Sequence, residues 1–146
     1  NTEPDATKIY LGDNGLTNHP SGDTYLCYAW REVSGYSRFG TYEGNGSANG
    51  PFIDCGFRPR FLVIKNVDTA DHWIMIDSER EPNNMMGEKV LLWDTADQEF
   101  DPAAVNLDFL GKGFKLRNTD FKCNYSGNTY VYMVCGDVPW KYNNGF

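Results

Sequence analysis

The sequence predicts an all-β protein, an antiparallel β-sandwich of jelly-roll or lectin-like type with little helix. Three observations carry this. Short apolar runs recur along the 146 residues, bounded by Gly, Pro and Asn clusters, the spacing expected of sandwich strands. Aromatics make up 15% of the chain, beside 15 Gly and 7 Pro, a composition of strands and turns rather than helices. The third is a strand-like segment that occurs twice.

Residues 1–8 (NTEPDATK) are polar and expected to be flexible. Residues 9–11 read as a short strand and 12–22 as a turn-rich loop. Residues 24–33 read as a strong strand, with Leu26, Tyr28 and Trp30 on one face and Tyr25, Cys27 and Ala29 on the other. Apolar side chains on both faces imply cover on both faces. Residues 40–51 (GTYEGNGSANGP) hold Asn-Gly twice, the strongest short hairpin signal, with Thr41 and Tyr42 as a short strand. Further strands are expected at 52–55, 60–66 (RFLVIKN), 73–77 (WIMID) and 89–93 (KVLLW). Residues 78–87 and 94–104 read as loops, the second with room for one helical turn. Residues 105–110 and 113–117 form a hairpin through Gly111-Lys112-Gly113, and 129–138 is the last strand.

Laid over itself at an offset of 105 residues, SGDTYLCYAWREV (21–33) matches SGNTYVYMVCGDV (126–138) at Ser, Gly, Thr, Tyr and the final Val. Such a match indicates one supersecondary unit used twice. The expected organisation is a flexible segment at 1–8, a single sandwich domain at 9–138, and a tail at 139–146. Within the domain, 9–33 is a hairpin resembling the end of a preceding repeat and 39–138 is one full repeat. A chain beginning at Asn1 rather than Met is expected to be processed or excised from something longer.

The net charge of −7 argues against a nucleic-acid partner, which needs a basic surface. No apolar run approaches spanning length, so membrane insertion is not expected. Four cysteines allow two disulfides in three connectivities, but their spacings match no zinc site. Cys27 and Cys135 sit in strand-like runs, where a thiol is usually a small buried hydrophobe.

Four chemistries have candidate residues. Nucleophilic catalysis needs a base beside its nucleophile; His19 and His72 both fall in loops, and there is no GxSxG elbow. Glycoside hydrolysis needs paired carboxylates, for which Asp77 with Glu79, or the acidic loop, qualify; adjacent Arg80 makes a loop-locking ion pair the commoner reading. The acidic loop 94–101 (DTADQEFD) offers Asp94, Asp97, Glu99 and Asp101 as oxygen ligands for Ca²⁺, without the EF-hand Gly and Glu. A solvated acidic loop is its ordinary alternative, and no other cofactor is indicated. Sugar stacking has candidates in Tyr36, Phe39, Tyr42 and Trp73, with Asn45 and Asn49 as hydrogen-bonding amides, against the ordinary fate of aromatics in cores. Asn45-Gly-Ser and Asn124-Tyr-Ser are sequons, relevant only in a glycosylating host.

EVSGYSRFGTYEGNGSANGPFIDCGFRPRFLVIKN, WIMIDSEREPNN, DFLGKGFKLRN and SGNTYVYM occur in that order. Together they resemble a domain of unknown function from virion and tail-fibre-like structural proteins of marine tailed phages, from Tyr25 onward. The cysteines at strand positions and the ending WKYNNGF depart from that pattern. The resemblance implies a non-enzymatic structural protein, in a virion or extracellular, that assembles with itself or other virion proteins and acts in adhesion. In it the 77–80 segment is framework. Residues 9–33 have two expected placements: folding back to enlarge the chain's own sandwich, which the short distance to the glycine stretch favours, or completing a neighbouring subunit by strand exchange. The alternative is a carbohydrate-binding module for host-surface glycan, and the weakest reading is a glycoside hydrolase.

Overall fold

Residues 59–66 are covered on both faces at their centre, where Leu62 and Ile64 face inward and Val63 on the other face is also fully buried. They form β3 (Pro59–Asn66) of a computed structural model that describes residues 3–12, 14–19, 21–83, 85–102 and 105–136. Pro59, which has no N–H to donate, stands at the strand's first position, where the ladder to its neighbour shifts register. The other strands are β1 (Ser37–Glu43), β2 (Phe52–Asp54), β4 (Ile74–Asp77), β5 (Met85–Met86), β6 (Leu91–Leu92), β7 (Leu107–Leu110), β8 (Gly113–Leu116) and β9 (Thr129–Gly136). All pairings are antiparallel. One sheet has the order β1-β9-β3-β4-β6 and the other β2-β8-β7-β5. Leu62, Ile64, Ile74, Ile76, Tyr130 and Val134 of the first meet Ile53, Met86, Leu107, Phe109, Phe114 and Leu116 of the second in one buried cluster. The fold is therefore all-β and a sandwich. No helix occurs among the described residues.

The hairpin at 105–117 is present as β7 and β8 around Gly111-Lys112. Gly113 has to be glycine, since a Cβ there would meet the Ile53 carbonyl at 1.9 Å. The glycine stretch does not form the expected hairpin. β1 before it pairs with β9, and β2 after it pairs with β8, so residues 44–51 cross from one sheet to the other. Gly46 takes positive φ (61°). Gly50 does not; its role is close approach, because a Cβ would lie 2.7 Å from Leu116. Met85–Met86, expected as loop, pairs with β7, and the strand expected at 89–93 shrinks to β6.

The chain divides into two compact units, Asn1–Trp30 and Arg31–Phe146. Among its described residues the first unit has no strand, including at 9–11. Its turns are local: the Asp5 carboxylate accepts from the Thr7 and Lys8 amides, and the Tyr25 hydroxyl donates to Gly15 O. The strand expected at 24–33 reduces to one bridge within the second unit, Val33 to Ser37. The last strand ends at Gly136; residues 137–138 and the expected tail 139–146 lie outside the described residues.

Candidate functional site

β1 exposes alternate residues on opposite faces of its sheet, so Tyr42 and Phe39 cannot serve one ligand. Tyr42 belongs to the core side. Its ring stacks on Tyr130 with centroids 5.0 Å apart, and its hydroxyl donates to Cys123 O at 2.7 Å. Burial pushes its phenol well above the ordinary range. Phe39 is half-buried, and its amide donates to the Glu32 carboxylate at 3.0 Å. Half-buried Tyr36 spends its backbone closing the turn onto β1, accepting from the Gly136 amide at 2.7 Å.

The two asparagines of the glycine stretch build the loop. Asn45 Oδ1 accepts from the Ser47 amide and its Nδ2 donates to Asn49 O. The centre of this network is Asn124, which is fully buried. Its Nδ2 donates to Ser47 O (2.9 Å) and Asn118 O (2.6 Å), and its Oδ1 accepts from the Asn45 amide. A fully buried, hydrogen-bonded amide is closed to glycosylation in the folded chain, so the second sequon is structural. Beside this network lies a cleft of about 480 Å³ lined by Asn118, Asp120, Phe121, Tyr125 and Arg117. Its polar groups already hold one another: Asn118 Oδ1 accepts from the Asp120 amide, and Arg117 Nε donates to Asp108 at 2.6 Å.

A different surface gathers residues that are distant in the sequence. Ile74 pairs with Leu92, which sets Trp73 opposite Trp93 at the end of the β4–β6 ladder. The Trp93 amide donates to Trp73 O at 2.8 Å. Asp94 follows at once, its Oδ1 accepting from the Trp73 amide (3.1 Å) and its Oδ2 bonded to His72 Nδ1 (3.2 Å). Burial works against the Asp94 charge, but the bonds from His72 and the Trp73 amide together outweigh it and hold the carboxyl below its usual range. Trp73, Trp93 and Asp94 enclose a hollow of about 240 Å³. The sequence offers Trp73 and Asp94 for different ligands, and it gives no signal that adds Trp93 and His72 to either. Only the register of a two-residue strand reveals the group.

The four carboxylates expected to hold Ca²⁺ do not converge. Asp94 serves His72 and Trp73, and Glu99 pairs with Arg80 at 2.8 Å. The Asp97 amide donates to Thr95 Oγ1, while the Val90–Phe100 bridge pins the loop next to Asp101. Among the described residues no group of three or more His, Cys, Asp or Glu is placed to hold a metal. Asp77 pairs with Arg80 (2.6 Å) and Glu79 with Arg60 (2.7 Å), so neither carboxylate of that pair stands ready as acid or base.

His19, Ser21 and Asp23 lie together, but not as a triad. Ser21 Oγ at 2.6 Å and the Asp23 carboxylate at 3.5 Å both approach the same ring nitrogen, Nδ1. A relay needs one partner on each nitrogen. All four cysteines are free thiols. Burial raises Cys55 to about 11 and Cys123 to about 12, which leaves both unreactive.

No curated protein and no solved structure matches this chain. Residues 1–139 match the family described as Domain of unknown function (DUF7483), and the chain belongs to that family.

Proposed function

We propose that this chain is a non-enzymatic structural module of a phage virion or extracellular fibre, acting in assembly and in attachment to a host surface. The observation that carries this reading is the state of residues 24–30. In sequence they are the twin of β9, which sits between β1 and β3 in the middle of its sheet. Here they join no ladder, and Leu26 (77%), Tyr28 (70%) and Trp30 (57%) are exposed, with Tyr28 stacked on Trp30 at 5.9 Å. A strand-forming segment that joins no sheet invites pairing. Another copy of the chain, or another virion protein, supplies those neighbours by strand addition through residues 9–33. A head-to-tail contact of this kind closes into a ring or runs on as a fibre. The likeness of the sequence to tail-fibre-like proteins supports the same reading, and with it a virion or extracellular location.

Light scattering of the full chain across concentration tests the assembly. Self-association is expected, and Leu26→Ser, Tyr28→Ser and Trp30→Ser together should abolish it while leaving the far-ultraviolet dichroism unchanged. A chain that stays monomeric at every concentration, alone and with fibre proteins of the same particle, would remove the assembly reading.

A second reading, a carbohydrate-binding module, is favoured by the hollow between Trp73 and Trp93. A hydrolase finds less support, because Asp77 and Glu79 are in ion pairs. The net charge of −7 speaks against nucleic acid. Among the described residues no helix is long and apolar enough to cross a membrane.

A further inference from the structure

We propose that the hollow formed by Trp73, Trp93 and Asp94 binds the ring of a neutral hexose, such as a terminal sugar of a surface glycan. This deepens the attachment half of the reading above and rests on it, while the assembly half stands or falls on a different segment.

Trp73 is 38% exposed and Trp93 45% exposed, although Ile74, next in the chain, is fully buried. Scattered exposed apolar side chains are ordinary. Two indoles at one end of one ladder, beside a carboxylate, are a defined surface. The Trp73 backbone and the Trp93 ring are held in advance. Trp73 is anchored through its amide to Asp94 and through its carbonyl to Trp93. The Trp93 ring stands edge-on to Phe61 at 6.2 Å and 78°. Little freedom is therefore lost when a ligand arrives.

The chemistry of the walls selects the ligand. Indole faces carry negative potential and attract the weakly positive C–H groups on one face of a pyranose. Hydroxyls at the ring edge need acceptors and donors. Each Asp94 oxygen accepts one bond here, and a carboxylate has about four acceptor positions, so capacity remains. The His72 ring, bonded through Nδ1 to Asp94 Oδ2 at 3.2 Å, holds that carboxylate in place. A carboxylate in the site, on a chain of net charge −7, repels sialylated, sulfated or phosphorylated sugars. The alternative ligand for indoles and a carboxylate is a quaternary ammonium ion. It is disfavoured because the hollow offers two walls rather than a cage.

A site this small should bind a single sugar with Kd on the order of 1 mM. The test is nuclear magnetic resonance of the full chain, following the indole N–H signals of its 4 Trp during titration with the methyl glycosides of glucose, galactose, mannose and N-acetylglucosamine. Saturable shifts at two indoles, those of Trp73 and Trp93, are expected for at least one neutral glycoside. Trp73→Ala should weaken binding at least tenfold, and Trp93→Phe, which keeps a ring against Phe61, by about threefold to tenfold. Tyr125→Ala, in the larger cleft, should leave it unchanged. Two outcomes overturn the inference: no shift with any of the four glycosides at 50-fold the expected Kd, or binding that survives Trp73→Ala. Shifts with tetramethylammonium or sialic acid in place of the neutral glycosides overturn the ligand class. Leu26, Tyr28 and Trp30 take no part in this readout, so loss of sugar binding and loss of self-association are separately visible.

Discussion

Asn124 Oδ1 accepts the backbone N–H of Asn45 at 3.0 Å, tying together two loops 79 residues apart. The same side chain donates to Ser47 O and Asn118 O. One amide thus sets the shape of the glycine stretch and of the loop that returns the chain to β9.

Asn124→Ala removes these bonds together, leaving the buried Asn118 carbonyl and the half-buried Ser47 carbonyl without this donor. The expected loss is about 2–4 kcal/mol, since each stranded buried group costs more than an average hydrogen bond contributes. Urea unfolding measures it. Asn45→Ala, at the exposed end of the network, should lose less than half as much. Equal losses would mean that the network is not centred on Asn124.

Gly111 and Gly113 flank the same turn with opposite expectations. Nothing lies within 4 Å of a Cβ at Gly111, whereas one at Gly113 meets Ile53 O at 1.9 Å. Gly111→Ala should change stability by less than about 1 kcal/mol. Gly113→Ala must push β2 off β8, at a cost of roughly 3 kcal/mol or more. Melting temperatures of the two variants decide this, and a similar small shift for both would contradict the packing at Ile53.

Among the thiols, exposed Cys27 should react first with a disulfide reagent. Cys135, half-buried and with its thiol pKa raised by burial, should follow slowly. Cys55 and Cys123 should label only as the protein unfolds. Timed labelling with mass spectrometry gives the order. A mass deficit of two hydrogens in the unlabelled chain would reveal a disulfide and overturn the assignment of four free thiols.

The Asp77–Arg80 pair makes stability depend on pH. Burial opposes the Asp77 charge, but the Arg80 amide and guanidinium outweigh it, so the folded pKa lies below the unfolded one. Its contribution is therefore complete above the unfolded value of about 3.9 and is lost as pH falls through the folded value. Asp77→Asn should cost roughly 1 kcal/mol at pH 7, and the difference from the parent should shrink toward zero as pH falls below the unfolded value. Urea midpoints across pH follow it; a constant difference down to pH 2 would show that the charge is not what matters.

Much of the sandwich is legible in local pattern. RFLVIKN, the hairpin around Gly111-Lys112 and the run from Thr129 all become strands, because a period of two and turn residues act over a few neighbours. The candidate sites are less legible, because a side chain's use depends on which face it takes and what lies opposite. Tyr42 reads as an aromatic near a polar loop, but one position of alternation sends it into the core against Tyr130. Trp73 and Asp94 lie 21 residues apart and meet only through the β4–β6 register.

The repeat separates the two levels most clearly. By itself the sequence determined that residues 21–33 and 126–138 have the same strand-forming character. Tertiary structure decided that only the second copy becomes a sheet strand. β9 has β1 on one side and β3 on the other, so its backbone groups are paired and Tyr130, Tyr132 and Val134 are buried. The first copy keeps a single bridge, at Val33, and Leu26, Tyr28 and Trp30 stay in water. A strand's propensity is local, but its stability resides in its neighbours, and no stretch of sequence carries its own neighbours.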